Sequence, residues 1–230
     1  MEKIVFTKMN NLVPDFYCPK KASDFLPEWY KNLYSYYGTD GKKILDKNLK
    51  ASSSIKRCVP VFDALNSGYI ISTYCDIWIR KNEDGENIYL SPEYTPISFH
   101  PIIQAPSHPY MNNQPYPKWL NPWSIKTPRG YSSLFIPPVH GSNQYFNILE
   151  GIVDTDKYNN PVNFPFILKD ANFEGLIPAG TPVVQVIPIK RSSWKSEFGD
   201  KKDTDDVYAT VMSGFFDNYR KFFWSKKDYK

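Results

Sequence analysis

A chain of 230 residues is long enough for one large domain or two small ones, each with a sizeable core. Aromatic residues make up 17% of it, which excludes an intrinsically disordered chain, and 20 prolines against 11 glycines favour short strands and ordered loops over long helices. The net charge of +4 is too mild to point to nucleic acid or a membrane as a partner.

The three cysteines, Cys18, Cys58 and Cys75, have no C-x-x-C spacing and fit reduced thiols in a cytosol-like compartment. No apolar run approaches the ~20 residues of a membrane span, and the first residues have no signal-peptide h-region, so a protein made without export is expected.

In chain order, EKIVFT (2–7) predicts a short strand. PKKASDFLPEWYKNLYSYY predicts a short helix or two turns, with Leu26, Trp29, Tyr30 and Leu33 at helical spacing. A polar link follows, and β signals dominate after it. In SGYIISTYCDIWIRK, Tyr69, Ile71, Thr73, Cys75, Ile77 and Ile79 alternate onto one face, as in a strand with one side in a core. NEDGEN predicts a hairpin turn in which Asp84 and Gly85 take positive φ.

Residues 91–122 are studded with proline and read as an ordered excursion holding at most one edge strand. WSIKTPRG and YSSLFIPP predict two strand pieces joined at a bend. QYFNILEGIVDTD, NFPFILKD and TPVVQVIPIKR predict three more strands, with Gly180 marking a tight turn before the last. Near the C-terminus, Val207, Val211, Phe215, Tyr219 and Phe222 predict one amphipathic helix of about five turns, capped by Asp203 or Thr204.

Most chemical motifs are missing. His100, His108 and His140 lack the short spacing of metal ligands and read as loop histidines. There is no G-x-S-x-G elbow and no Gly-rich phosphate loop. What remains is the pair Asp154 and Asp156 in VDTD. Two apart on an extended strand, they share a face, where they can raise one pKa, attract a cation, or simply bond the amides of the KYNNP turn that follows.

Three segments in fixed order, TPRGYSSL (127–134), GIVDTDKY (151–158) and IPAGTPVVQVIPI (177–189), resemble degraded motifs of the trimeric dUTPase and dCTP deaminase superfamily. That resemblance implies Arg129 with Ser132 or Ser133 at a phosphate, Asp154 as a water-activating base, Tyr158 against a sugar and Gln185 lining a nucleotide site. A divalent cation such as Mg belongs to that reading alone. Tyr158 falls one residue late, Gly130-Tyr131 replaces Ser-Gly, and the aromatic helix of 203–224 stands where the superfamily has a Gly-rich arm. Over residues 55–191 the chain also resembles an uncharacterised bacterial and bacteriophage protein family that keeps TPxG[YW] and GIV[DE]TD segments in this order. Glu in place of the first Asp there implies an acceptor in a turn more than a base at one fixed position.

The resulting expectation is a mostly β protein: a compact β-sandwich or β-clip-like, dUTPase-like core with an N-terminal helical segment and a C-terminal amphipathic helix. Residues 1–54 form the N-terminal part, 55–195 the core and 196–230 the charged link and helix. The leading functional reading is a non-catalytic phage-type structural or interaction protein, in the host cytoplasm or built into the virion, with no cofactor. Its expected partners are further copies of itself or other phage or host proteins. The alternative is a nucleotide-binding or nucleotide-hydrolysing enzyme on a dUTPase-like scaffold.

Overall fold

The computed structural model of the chain describes residues 2–9, 11, 13–36, 53–92, 96–104, 115–213 and 218–230. Among the described residues, fourteen strands and three α-helices follow one another. The strands begin with β1 (Val5–Lys8), β2 (Lys20–Lys21), β3 (Tyr69–Ser72), β4 (Ile77–Lys81) and β5 (Asn87–Leu90). They continue with β6 (Ile97–His100), β7 (Tyr116–Trp119), β8 (Trp123–Lys126), β9 (Tyr131–Ile136) and β10 (Phe146–Ile148). The last four are β11 (Gly151–Val153), β12 (Phe164–Leu168), β13 (Gly175–Ile177) and β14 (Pro182–Lys190). The helices are α1 (Glu28–Asn32), α2 (Val59–Asn66) and α3 (Lys202–Ser213). The protein is mostly β.

Two compact units divide the chain: Met1–Phe25 with Gly68–Arg191, and Leu26–Ser67 with Ser192–Lys230. All fourteen strands lie in the first unit and all three α-helices in the second. Residues 1–25 therefore group with the strands, and α2 groups with the C-terminal segment.

The strands of the first unit form four antiparallel sheets, ordered β1-β8, β10-β12-β7-β6, β11-β9-β14-β3-β2 and β13-β4-β5. One apolar cluster joins side chains from all four, including Ile125, Trp119, Phe164, Ile71, Val184 and Ile79. Burying such large side chains at about 25 cal/mol per Å² of apolar surface is the main force holding the sheets together.

Along the run from Tyr69 to Ile79, Ile71, Thr73, Cys75, Ile77 and Ile79 are buried, but Tyr69 is only partly so and Ile70, Ser72 and Tyr74 are buried as well, so burial alternates only from Cys75 onward. Nor is the run one strand. The chain leaves the five-stranded sheet after Ser72 and enters the three-stranded sheet at Ile77. Hydrogen bonds to the IPAGTP turn cause the break. Thr73 N donates to Thr181 O (2.8 Å), Gly180 N to Thr73 O (2.8 Å), Thr73 Oγ1 to Pro178 O (2.9 Å), and Ala179 N to Asp76 Oδ1 (2.8 Å). Gly180 has φ +86° and marks that turn as expected. The NEDGEN turn also forms between β4 and β5, but only Gly85 has positive φ; Asn82 takes over the closing role by accepting from Gly85 N (3.0 Å) and Glu86 N (2.7 Å).

Further expectations need correcting. The proline-rich excursion holds two paired strands, β6 and β7, and β7 is interior to its sheet. Pro117 is tolerated there because the β7–β12 pairing covers only Lys118 and Trp119, so its missing donor faces no partner strand. QYFNILEGIVDTD splits into β10 and β11 in different sheets, and β13 supplies a strand that the sequence pattern did not reveal. In the second unit, VPVFDALN is helix α2, with Pro at its N-terminal end. The described part of helix α3 runs over Lys202–Ser213 and a π-helical turn spans Tyr219–Phe223; residues 214–217, with Phe215, lie outside the described residues. Asp200 Oδ1 accepts from Lys202 N, the first amide of α3, at 3.3 Å, and Thr204 Oγ1 donates to the Lys201 carbonyl at 2.8 Å; the side chain of Asp203 lies outside the described residues.

Among the described residues no helix is long and apolar enough to cross a membrane. Cys18, Cys58 and Cys75 form no disulfide among the described residues.

Candidate functional site

The VDTD acids sit where three strands of the largest sheet end together. β9 pairs with β11 on one side and β14 on the other, so the turn before β9, the turn after β11 and the end of β14 converge. The turn before β9 closes through Tyr131 N to Pro128 O (3.1 Å), with Gly130 at φ +86°. That angle belongs to the third position of a type II turn and strains any side chain bearing a Cβ. It also aims the Gly130 amide at Asp156 Oδ2, 2.9 Å away.

The residue that organises the site is Arg191. Its backbone extends the β14 pairing by one bond, N to Gly130 O at 2.8 Å. Its guanidinium then faces both acids: Nη1 lies 2.8 Å from Asp156 Oδ1 and 3.1 Å from Asp154 Oδ1, and Nη2 bonds Asp156 Oδ2. Nη1 also donates to the Tyr131 carbonyl (2.9 Å) and to Ser132 Oγ (3.2 Å). Ser132 Oγ donates to Asp154 Oδ1 at 2.7 Å. The bidentate fork on Asp156 is the strong geometry for an Arg–carboxylate pair. Asp156 is nearly buried, with 4% of its side chain exposed, whereas half of Asp154 remains open.

Behind these charges lies a buried hydroxyl chain. Thr155 Oγ1 is 2.8 Å from Thr127 Oγ1 and 2.9 Å from Ser133 Oγ. Successive residues on β9 and on the VDTD turn point to opposite faces, so Ser132 meets Asp154 while Ser133 meets Thr155. The two acids do share a face, and the cation they attract is the protein's own guanidinium. The turn itself is closed by backbone: Lys157 N and Tyr158 N both donate to the Asp154 carbonyl, at 2.9 and 2.8 Å.

Both carboxyls are held below the ordinary aspartate range. For Asp154 the Ser132 hydroxyl is the main cause, aided by the charges of Arg191 and Lys157. For Asp156 the Arg191 hydrogen bonds dominate, followed by the Gly130 amide. Arg191 is raised in turn, chiefly by Asp156. A depressed carboxylate is a weak base near neutral pH, which is the opposite of what water activation asks for.

The remaining residues of the expected nucleotide set do not gather here. Ser132 touches Asp154, and Arg129 shares the adjoining turn, but its side chain is exposed and, among the described residues, no ion pair joins it to either acid. Tyr158 is half exposed. Gln185 is 1% exposed and its Oε1 accepts from Val139 N (3.2 Å), opposite Ile136 on β9. Six residues separate it from Arg191 along β14, roughly 20 Å at strand rise. His100 ends β6 and stacks on Tyr116 at 5.1 Å, His140 sits in a 3-10 turn with φ +56°, and His108 lies outside the described residues. Among the described residues no three His, Cys, Asp or Glu side chains are grouped to hold a metal ion.

Sequence reading passed over Arg191, although it closes the TPVVQVIPIKR strand. A cation at a strand end, two strands from an acid pair in the same sheet, was the available signal. Using it required the β11-β9-β14 order, which no local pattern supplies.

A pH dependence follows. Folded pKa values below the unfolded ones mean that the two carboxylates contribute stability that is fully present above about pH 4, the ordinary Asp value, and lost as pH falls through the folded pKa values. The melting temperature is expected to fall steadily as pH drops below about 4, and Asp156→Asn is expected to flatten that fall. Melting curves by circular dichroism from pH 7 to 2.5 check it; identical slopes for both proteins would contradict it.

The strands and this cluster define an antiparallel, multi-sheet β protein whose paired acids are bridged by its own Arg191. No family model matches the chain, and no curated protein matches it.

Proposed function

We propose that this chain is a non-catalytic, phage-type structural protein that works by assembling with further copies of itself, and that it serves in or alongside the virion. The observation that carries this reading is the segment from Ser192 to Asp200. It has no helix or strand, every residue in it is exposed, and it bears Trp194 at 90% and Phe198 at 108% exposure. Two aromatic side chains left in water forgo about 3–6 kcal/mol of burial free energy. Tryptophan is also among the residues most enriched where binding energy concentrates. An extended arm with aromatic anchors and no cover of its own suits insertion into a neighbouring copy.

Helix α3 supports the same reading. Val207 and Val211 lie one turn apart and remain 47% and 41% exposed, an apolar row on a helix whose charges are confined to its first five residues. We further propose that the four sheets close as a sandwich or β-clip-like body, since a single core cluster draws on all of them. The resemblance to the bacterial and bacteriophage family supports the viral setting. The nucleotide-hydrolase alternative has less in its favour, because Asp154 is engaged by Ser132 and Arg191 and Gln185 is buried elsewhere in the sheet.

The test is the double variant Trp194→Ala/Phe198→Ala. Sedimentation velocity is expected to show a multimer for the wild-type chain and a lone 26.7 kDa chain for the variant, with unchanged circular dichroism. A variant that assembles as well as wild type removes the arm from the account.

A further inference from the structure

The second unit carries 15 Lys and Arg against 11 Asp and Glu, while the first unit holds the remaining 13 of each, so the whole net charge of +4 belongs to the second unit. Within that unit a cavity of about 510 Å³ opens among Lys31, Lys56, Arg57, Arg220 and three aromatic residues, Tyr30, Phe62 and Trp224. Its described lining contains no carboxylate. The volume falls in the range of small-molecule sites, ~300–1,000 Å³.

The walls are fixed by contacts of their own. Trp224 donates its indole N–H to Asp63, 3.1 and 3.0 Å from the two carboxylate oxygens, which orients the ring. Tyr30 is 4% exposed and its hydroxyl donates to the Lys56 carbonyl at 3.3 Å. Arg220 lies over the Trp224 ring at 5.7 Å, and Arg57 over Tyr36 at 4.7 Å. Lys56 Nζ donates to the Lys31 carbonyl at 2.9 Å, so its charge has no carboxylate in that bond. Val59, the first residue of α2, also lines the cavity, and the amide end of a helix favours an anion. Lys31 Nζ is paired with Glu28 Oε1 at 2.7 Å, and the described lining as a whole, with four cations and no carboxylate, favours an anion. Pinned aromatic faces beside them offer a stacking surface.

We propose that this cavity binds a phosphate monoester carrying an aromatic ring, with the phosphate among Lys56, Arg57 and Arg220 and the ring against Trp224 or Phe62. The proposal concerns the second unit only and does not depend on the assembly reading. Two sources share this chemistry, a nucleotide and a phosphorylated aromatic amino acid.

Calorimetric titration of the full chain with AMP and with O-phosphotyrosine separates them. At least one ester is expected to bind with Kd below about 1 mM, and adenosine and inorganic phosphate at least about tenfold more weakly. Arg220→Gln/Lys56→Gln is expected to weaken the ester at least about tenfold, whereas Lys126→Gln, which alters an exposed charge on β8, leaves it within about twofold. The preferred ester names the source. Absence of binding by both esters overturns the proposal, as does inorganic phosphate binding equally well or an unaffected double variant. Far tighter binding of a dT15 oligonucleotide, with a steep salt dependence, overturns it in favour of a single-strand surface.

Discussion

Gly68→Ala is expected to leave the protein unfolded, or to lower its melting temperature by on the order of 10 °C or more. Gly68 enters β3 with φ +73°, and a Cβ built there would lie 2.0 Å from the Val186 carbonyl oxygen and 2.9 Å from its carbon. Both atoms are backbone of β14, the strand that pairs with both β3 and β9. No side-chain rotation relieves such an overlap; β14 itself would have to move, and with it the bonds that position Arg191. Gly68 also accepts from Ala22 N at 3.0 Å, beside the β2 edge. Gly85→Ala is the control. Its φ is +79°, but nothing lies within 4 Å of the added atom, so only the backbone strain of about 1–2 kcal/mol applies. Thermal melts of the two variants separate collision from strain, and equal losses would contradict the close approach.

Arg191→Met is expected to cost the next largest amount, a drop in melting temperature on the order of 5 °C or more at pH 7. Methionine keeps much of the side-chain length but strips Asp156, whose side chain is 4% exposed, of both guanidinium bonds, leaving the Gly130 amide. An enclosed carboxylate without its counter-charge is the costly outcome, not the loss of the pair as such. Adding Asp156→Asn to Arg191→Met should therefore restore part of the loss, a non-additivity that a double-mutant cycle reads directly. If Arg191→Met melts with wild type, the two turns and the end of β14 are not held together through this guanidinium.

Periodicity carried the sequence reading as far as burial and no further. Ile71, Thr73, Cys75, Ile77 and Ile79 are buried as expected, but so are Ser72 and Tyr74 between them, and two sheets share the run because the Thr73–Asp76 turn is set by hydrogen bonds to Pro178–Thr181, over a hundred residues away. Alternation identifies a face without naming the partner strand. Turn chemistry was legible at Gly180 and Gly85, where a left-handed backbone leaves a residue-type signature. Prolines misled in the 91–122 stretch, since Pro117, like Tyr116, lies in the half of β7 that has no partner on the β12 side. At the site, the shared face of Asp154 and Asp156 could be read from their spacing. Their counter-ion could not, because it arrives by sheet order from the far end of β14.

The molar mass of the wild-type chain in solution, measured by light scattering over a range of concentrations, tests the assembly account most directly. A mass at a whole-number multiple of 26.7 kDa, persisting on dilution to the micromolar range, is the predicted result. A mass of 26.7 kDa at every concentration would contradict it, since Trp194 and Phe198 would then remain in water with no second copy to cover them.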